Sequence, residues 1–277
     1  MNSAANDSVQ KHKVVFIMGA TGTGKSRLSI DIATRFPAEI INSDKIQVYE
    51  GLDIVTNKIS NLEMKGIPHH LLGQVQPNAD FTATDFCVHA MVAMEDIVKR
   101  GKIPVIVGGS NSFMEALVED PQFDFKGKYE FCAIWLDVSL PVLDSYVRKR
   151  VDQMCQAGLV EEVRGMFQPD ADYTRGIYRA IGVPELDQYF RAEAEVDQAA
   201  KAEMLEEAIE QIKANTCDLV RKQLGRIYWA WDKLGWPLHR IDATVVFESS
   251  GLEADLMWDE LVAKPSLAVA NGLLNAF

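Results

Sequence analysis

The sequence predicts an α/β fold in which a parallel sheet is flanked by helices and carries a smaller helical lobe. Three observations predict it. A buried-type apolar run, Val14–Met18, leads through a glycine-rich turn into an amphipathic helix. Apolar runs at 38–41, 103–107 and 131–136 then alternate with helical patterns, the spacing that parallel crossovers require. Beyond residue 140 the pattern becomes long and mostly helical, rich in Glu, Lys, Arg, Ala and Met.

Taken in order, residues 14–18 are the first core strand and 26–36 the helix that follows it. A second strand over 38–41 ends at Asn42-Ser43-Asp44. Residues 82–100 form a helix stopped by Gly101, with Thr82 as its N-cap and Asp85 at capping-box spacing. The run 103–107 is a buried strand followed by the tight turn Gly108-Gly109-Ser110, and Phe131–Leu136 is another strand, ending at Asp137. Helical patterns cover 140–167 and 198–234, Pro237 closes the last of these, and 238–247 returns a short strand. The expected organisation is a frayed N-terminus over 1–10, a core over 11–140, a substrate-covering lobe over 141–225, and a C-terminal helix and strand over 226–277 that return to the core.

Composition narrows the functional classes. The 277 residues are 48% hydrophobic and 25% charged, and no apolar run is long enough to span a bilayer. Forty acidic against twenty-eight basic residues give a formal charge of -12, which disfavours broad binding to nucleic acid but permits a local basic pocket. Cys87, Cys132, Cys155 and Cys217 show neither zinc nor redox-pair spacing and read as reduced intracellular thiols. Met1–Gln10 has no apolar signal core and no Arg-rich transit character.

The chemistry concentrates around Gly19-Ala-Thr-Gly-Thr-Gly-Lys25-Ser26. A strand, a glycine-rich turn and a helix start make a Walker A loop, so the core is P-loop NTPase-like. Gly19, Gly22 and Gly24 let backbone N–H groups converge on phosphate oxygens, Lys25 adds a point charge, and the Ser26 hydroxyl is placed to ligate Mg2+. Asp44 follows the second strand, where a carboxylate can ligate Mg2+ through water, accept a proton from a nucleophile, or cap the next helix. Gln47 and Tyr49 share a side if that segment is extended. His69 and His70 diverge on a strand and suit structure or substrate positioning better than zinc.

Basic residues recur where the lobe meets the sheet: Arg148 and Arg150, Arg175 and Arg179, Arg221, Lys222 and Arg226. They are candidate phosphate clamps, or else a solvated face with ion pairs. Arg175 with Arg179, and Lys222 with Arg226, can share helix faces, whereas Arg221 and Lys222 cannot both reach one small group. Tyr228, Trp229, Trp231 and Trp236 read as lobe packing.

Several motifs together resemble the isopentenyltransferase family that includes plant adenylate isopentenyltransferases and tRNA dimethylallyltransferases. They are GATGTGKS at 19–26, INSDKIQVYEGLDIVTNK at 41–58, PHHLLG at 68–73, FTATDF at 81–86, VGGSNSF at 107–113, GLVEEV at 158–163, RAIGVPEL at 179–186 and NTCDLVRKQ at 215–223. INSDKIQVY and GGSNS are similar to the plant adenylate enzymes in particular. The resemblance implies transfer of a dimethylallyl group from its diphosphate to N6 of the adenine of AMP, ADP or ATP, the first step of cytokinin biosynthesis.

On that resemblance Asp44 is the general base, Lys25 and Mg2+ stabilise the departing diphosphate, and Thr21, the closer family match, or Thr23 assists through its hydroxyl. Arg148 or Arg150 and the pair Arg221-Lys222 are then candidates for the donor or acceptor phosphates. The chain departs from the plant pattern at Tyr178, Asp218 and Lys222, where a cation is lost, a charge is reversed and a bidentate arginine is replaced. The same fold serves a tRNA acceptor as the alternative, but the acidic charge and the lack of a C-terminal Cys/His zinc finger favour a free nucleotide. A small-molecule kinase, or a nucleotide-binding regulator without prenyl chemistry, fits the loop alone and not the ordered motifs. The expected protein is a monomer of the plastid or cytoplasm, neither secreted nor in a membrane.

Overall fold

The computed structural model describes residues 11–275, so the segment 1–10 expected to fray lies outside the described residues. Six strands are formed among them: β1 (His12–Met18), β2 (Ala38–Asn42), β3 (His69–His70), β4 (Ile103–Val107), β5 (Tyr129–Asp137) and β6 (Leu238–Asp242). They make one wholly parallel sheet in the order β3-β2-β4-β1-β5-β6. β1 lies between β4 and β5, with Ile17 opposite Val107 on one side and Ile134 on the other.

The period of two along β1 sorts its side chains to opposite faces. Val14, Phe16 and Met18 join a core that includes residues of α2 (Ala83–Lys99) and α3 (Asn111–Glu119). Val15 and Ile17 join a second core, with α1 (Lys25–Arg35). Val14 through Met18 are fully buried, as a central strand covered on both faces must be. The Thr82–Asp85 capping box forms in both directions, Thr82 Oγ1 accepting from Asp85 N at 3.2 Å and Asp85 Oδ2 accepting from Thr82 N at 2.8 Å.

After the short α4 (Phe125–Lys128) and strand β5, the chain builds the lobe from α5 (Leu140–Gln156), α6 (Leu159–Arg164), α7 (Asp187–Ala192) and α8 (Gln198–Leu234). α8 has 37 residues, starts on an Asp197 cap and ends on Gly235 at φ 62°. It runs unbroken through residue 225, where the sequence pattern places a boundary. The chain closes with α9 (Thr244–Glu248), α10 (Gly251–Trp258), a π-type turn over Asp259–Ala263 and α11 (Lys264–Leu274). The strand expected over 238–247 is therefore β6 followed by a helical turn. No described helix is long and apolar enough to cross a membrane.

Two local expectations change. Arg175 precedes a short 3-10 turn, Gly176–Arg179, and pairs with Asp80, while Arg179 reaches toward the Tyr49 hydroxyl at 3.4 Å. They share no α-helical face, because Pro77 O receives the Ile177 N–H and pins the turn to another segment. Of the aromatic group only Trp236 is buried; it packs on Phe16 and Phe131 and donates to Glu119. Tyr228, Trp229 and Trp231 stand partly exposed at the end of α8, with Tyr228 and Trp231 edge-on to Trp135.

The edge strand β3 is tied to β2 by an ion cluster around the buried carboxylate of Glu39, whose partners reach the surface. Glu39, 3% exposed, receives His70 Nε2 and Arg100 Nη2 at 2.7 Å and Lys102 Nζ at 2.9 Å. The neighbouring His69 ring turns instead to the Ile67 carbonyl. Burial alone would raise the Glu39 pKa, but the hydrogen bonds from Arg100, His70 and Lys102 outweigh it and hold the carboxyl at about 2. Because this pKa is depressed on folding, the contribution is complete above the unfolded value of 4.5 and is lost as pH falls toward 2. Glu39→Gln is expected to cost ~1–3 kcal/mol at neutral pH and to flatten the stability decline between those two pH values, read by urea denaturation across the range.

Candidate active site

Three chain reversals at the carboxyl edge of the sheet build a cavity of about 350 Å3. The first is the Walker loop between β1 and α1. Gly22 and Gly24 sit at φ 90° and 89°, left-handed values that turn the loop tightly. Gly24 is also the N-cap of α1 and offers no side-chain cap, so the helix N-terminus presents unpaired N–H groups to the cavity. Lys25 Nζ donates to Ala20 O at 2.7 Å, folding the side chain over the loop, and the Ser26 side chain is exposed.

The second reversal follows β2. Asn42 donates to the carbonyls of Leu71 at 2.8 Å and Asp44 at 3.3 Å, which fixes the exit of the strand. Asp44 Oδ1 then accepts from Ile46 N at 2.9 Å and Gln47 N at 3.3 Å, an Asx-type turn that orients the carboxylate. Its Oδ2 has no hydrogen-bond partner among the described residues. Gln47 Nε2 continues the network to the carbonyls of Thr56 and Asn57, and Glu162 accepts from the N–H groups of Ile54 and Val55. The segment 41–58 thus folds back on itself and places Asn57 in the cavity wall.

The third reversal, Gly108-Gly109-Ser110, lies between the other two, because β4 separates β2 from β1. Asp44 therefore does not end the strand beside the Walker loop, as adjacent strands would have it. The two glycines leave the space open instead. A Cβ on Gly108 would fall 2.1 Å from Ser43 O, so only glycine lets these strand ends meet. Ser43 N donates to Val107 O at 2.7 Å and Ser110 N to Ser43 O at 3.1 Å, stitching the second and third reversals together.

The lobe closes the cavity through two side chains that converge on Thr21. Arg150 Nη2 on α5 donates to Thr21 Oγ1 at 3.0 Å, and its buried Nε has no partner among the described residues. Gln223 on α8 accepts from Thr21 N at 2.7 Å and donates to Gly109 O at 3.0 Å. A second cavity, of about 770 Å3, adjoins the first at Asn57, Arg150 and Gln153 and has Glu50, Asp53, Lys58 and Met64 among its walls.

Comparison with known proteins decides what this site belongs to. Residues 47–127 and 119–227 match the family described as IPP transferase. Adenylate isopentenyltransferase 5, chloroplastic, of Arabidopsis thaliana is 56% identical over 269 residues, covering 96% of this chain and 81% of that protein. The chain belongs to the IPP transferase family. Within this isopentenyltransferase family, adenylate isopentenyltransferase 3, chloroplastic, of Arabidopsis thaliana is 52% identical over 259 residues, covering 92% of this chain and 77% of that one. In fold the chain is similar to a eukaryotic dimethylallyltransferase acting on tRNA, with a TM-score of 0.78 at 24% identity over 95% of this chain and 80% of that chain. Family membership makes this protein an enzyme, a prenyltransferase.

In this isopentenyltransferase, Thr21, Gly22, Gly24, Lys25, Ser26, Asp44 and Arg150 all line the 350 Å3 cavity, and Gly19 shapes the loop from beneath. Arg148, Arg221 and Lys222 do not line it. Arg148 is two residues from Arg150 on α5, which turns it away to pair with Glu210. Arg221 pairs with Asp144 and Asp218, and Lys222 is exposed. The charge reversal at Asp218 thus gives Arg221 a partner on its own helix. Gln223 is the residue that a search for cations overlooks. Its signal is helix phase: the buried positions 212, 216, 220, 223, 227 and 230 recur every three or four residues along α8.

Two cations, Lys25 and Arg150, share the pocket wall with the carboxylates of Asp44 and Glu63. Burial lowers the Lys25 pKa to about 8, with Arg150 adding to the effect and Asp44 opposing it; burial also lowers that of Arg150. Lys25 is charged below about pH 8 and loses its charge above it, so affinity for inorganic diphosphate is expected to fall as pH rises through 8. Lys25→Arg should flatten that profile in a calorimetric titration series. Gln223→Leu strands the Thr21 N–H and the Gly109 carbonyl and is expected to lower turnover ~10–100-fold through misplacement of the loop. Gln223→Glu should weaken diphosphate binding further, because a carboxylate would face both the Gly109 carbonyl and the ligand.

Proposed function

We propose that the protein transfers a dimethylallyl group from dimethylallyl diphosphate to N6 of the adenine of AMP, ADP or ATP, releasing diphosphate and opening cytokinin biosynthesis. The observation that carries the reading is the convergence of Lys25, Arg150 and the free N–H groups at the start of α1 on one small cavity that also holds the Asp44 carboxylate. Three cationic or dipolar groups suit a diphosphate leaving group, and the Asp44 carboxylate, oriented by backbone donors on Oδ1, suits a proton acceptor. A kinase reading leaves Asp44 and the family match unexplained.

In this mechanism the electron pair of the allylic C1–O bond stays with the diphosphate oxygen as the bond breaks, and the N6 lone pair forms the new C–N bond. The negative charge that grows on the leaving group meets Lys25, Arg150 and the loop N–H groups, so they stabilise the transition state more than the ground state. The N6 proton passes to Asp44 Oδ2, while the backbone donors on Oδ1 keep the carboxylate in one orientation. Thr21, held from both sides by the lobe, positions the loop.

Among the described residues no cluster of three His, Cys, Asp or Glu side chains forms a metal cage. The hard oxygens of Ser26 and Glu63 in the cavity wall still fit Mg2+, which takes few protein ligands and fills its shell with diphosphate and water. Bound there, Mg2+ would neutralise part of the leaving-group charge. The adjoining 770 Å3 cavity supplies room for the acceptor's ribose and phosphates.

A free nucleotide as acceptor is supported by the formal charge of -12, unfavourable on a long polyanion, and by 56% identity to a protein named adenylate isopentenyltransferase. For location, plastid or cytoplasm, two relatives carry chloroplastic names and a third, 51% identical, a mitochondrial one. The test is incubation with dimethylallyl diphosphate, Mg2+ and, separately, AMP, ADP, ATP or unmodified tRNA, with products resolved by mass. Prenylated nucleotides are expected, with Asp44→Asn at least ~100-fold slower and its diphosphate affinity little changed. Prenylation of tRNA alone would overturn the acceptor, and near-normal turnover of Asp44→Asn would remove it as the base.

A further inference from the structure

The Walker loop is braced from outside by a residue that belongs to none of its motifs. Trp258 ends α10 and is 2% exposed. Its ring lies so close to the loop that a Cβ on Gly24 would sit 2.7 Å from Cζ3 and 2.8 Å from Cη2. The indole Nε1 donates to Asp31 Oδ2 at 2.8 Å, and the Arg27 guanidinium lies 4.6 Å from the ring centroid while pairing with Asp255 at 3.0 Å. Arg27 and Asp31 are one turn apart on α1, so ring, loop and helix start form one packed unit. Immediately after Trp258 the helix widens into the π-type turn Asp259–Ala263, whose Val262 and Ala263 share the core of Leu28 and Ile32.

We propose that Trp258 is a positioning residue for the prenyl donor's diphosphate: it holds Gly24 in the left-handed conformation that aims the N–H groups of the loop and helix start at the ligand. Glycine populates φ near +89° and its negative counterpart about equally, so its own backbone does not fix the loop. A flat ring seated on Gly24 does, because rotating the peptides on either side would drive backbone into a side chain anchored by Asp31. Gly22, the other left-handed glycine, is covered in the same way by Val147 of α5, 2.8 Å from where its Cβ would lie. Each conformational weak point of the loop thus has a packed cover, one from the lobe and one from the C-terminal segment.

The inference rests on the reading that the loop holds the donor diphosphate, and the test separates the two. Inorganic diphosphate binding is measured by calorimetry with Mg2+, and KM for donor and for adenine nucleotide separately, in the full chain and in Trp258→Ala and Trp258→Phe. Trp258→Ala is expected to raise the diphosphate Kd and the donor KM ~10–100-fold while leaving nucleotide KM unchanged; Trp258→Phe, which keeps an aromatic ring but loses both the Cζ3–Cη2 edge over Gly24 and the Asp31 bond, is expected to show a smaller rise, between wild type and Trp258→Ala. A Trp258→Ala protein whose active fraction falls but whose diphosphate Kd is unaltered, or one in which both KM values rise together, would overturn the role. Should Trp258→Ala not fold, equal diphosphate Kd in wild type and in Trp258→Leu, which removes the flat ring but keeps apolar volume, overturns it as well. Absence of diphosphate binding to the wild type would instead strike the reading of the loop itself.

Discussion

The carboxamide of Gln223 is the point at which the separate parts of this molecule become one site. One end accepts the Thr21 N–H of the Walker loop, the other donates to the Gly109 carbonyl after β4, and its own helix belongs to the lobe. The buried Gly109 carbonyl would otherwise be left unpaired, at a cost of about 1–3 kcal/mol, and the half-buried Thr21 N–H would lose its partner. Arg150 adds a second lobe contact, to the Thr21 hydroxyl. The phosphate loop is therefore not free to adjust independently of α5 and α8. Whatever the loop binds is felt by the lobe, and the reverse.

Charge is used sparingly in this arrangement. The chain is acidic overall, and most of its arginines and lysines are neutralised by partners on the surface, as Arg148, Arg175, Arg191 and Arg221 are. Lys25 and Arg150 differ in facing the cavity without a salt-bridge partner among the described residues. Half-buried under the lobe, they act on a ligand through a medium where Coulombic attraction is stronger than between exposed surface charges. The same desolvation makes Lys25 the group whose charge is easiest to lose.

Much of this was legible in the sequence, for physical reasons that differ between elements. β1, β4 and β5 are continuous apolar runs bounded by turns, the pattern of strands buried on both faces, and the Walker loop is specified by residue types that nothing else in its context requires. Thr82 and Asp85 announce the start of α2 through local chemistry alone. Three features were not legible. The strand order places β4 between Asp44 and the loop, and pairing order is a property of the whole sheet. Arg148, Arg221 and Lys222 lie on helix faces turned from the cavity, and Gln223, which carries no charge, is marked only by its buried helix phase. The contact of Trp258 with Gly24 joins residues 234 positions apart, and no periodicity encodes it.

The central claim is that the loop grips the donor and leaves the acceptor to Asp44. A crystal structure of the protein with Mg2+, AMP and the unreactive thiodiphosphate analogue of the donor tests it most directly. The account predicts the diphosphate oxygens within hydrogen-bond reach of Lys25, Arg150 and the N–H groups from Gly22 to Ser26, with adenine N6 against Asp44 Oδ2. The AMP phosphate seated on the Walker loop, or N6 turned away from Asp44, would contradict it.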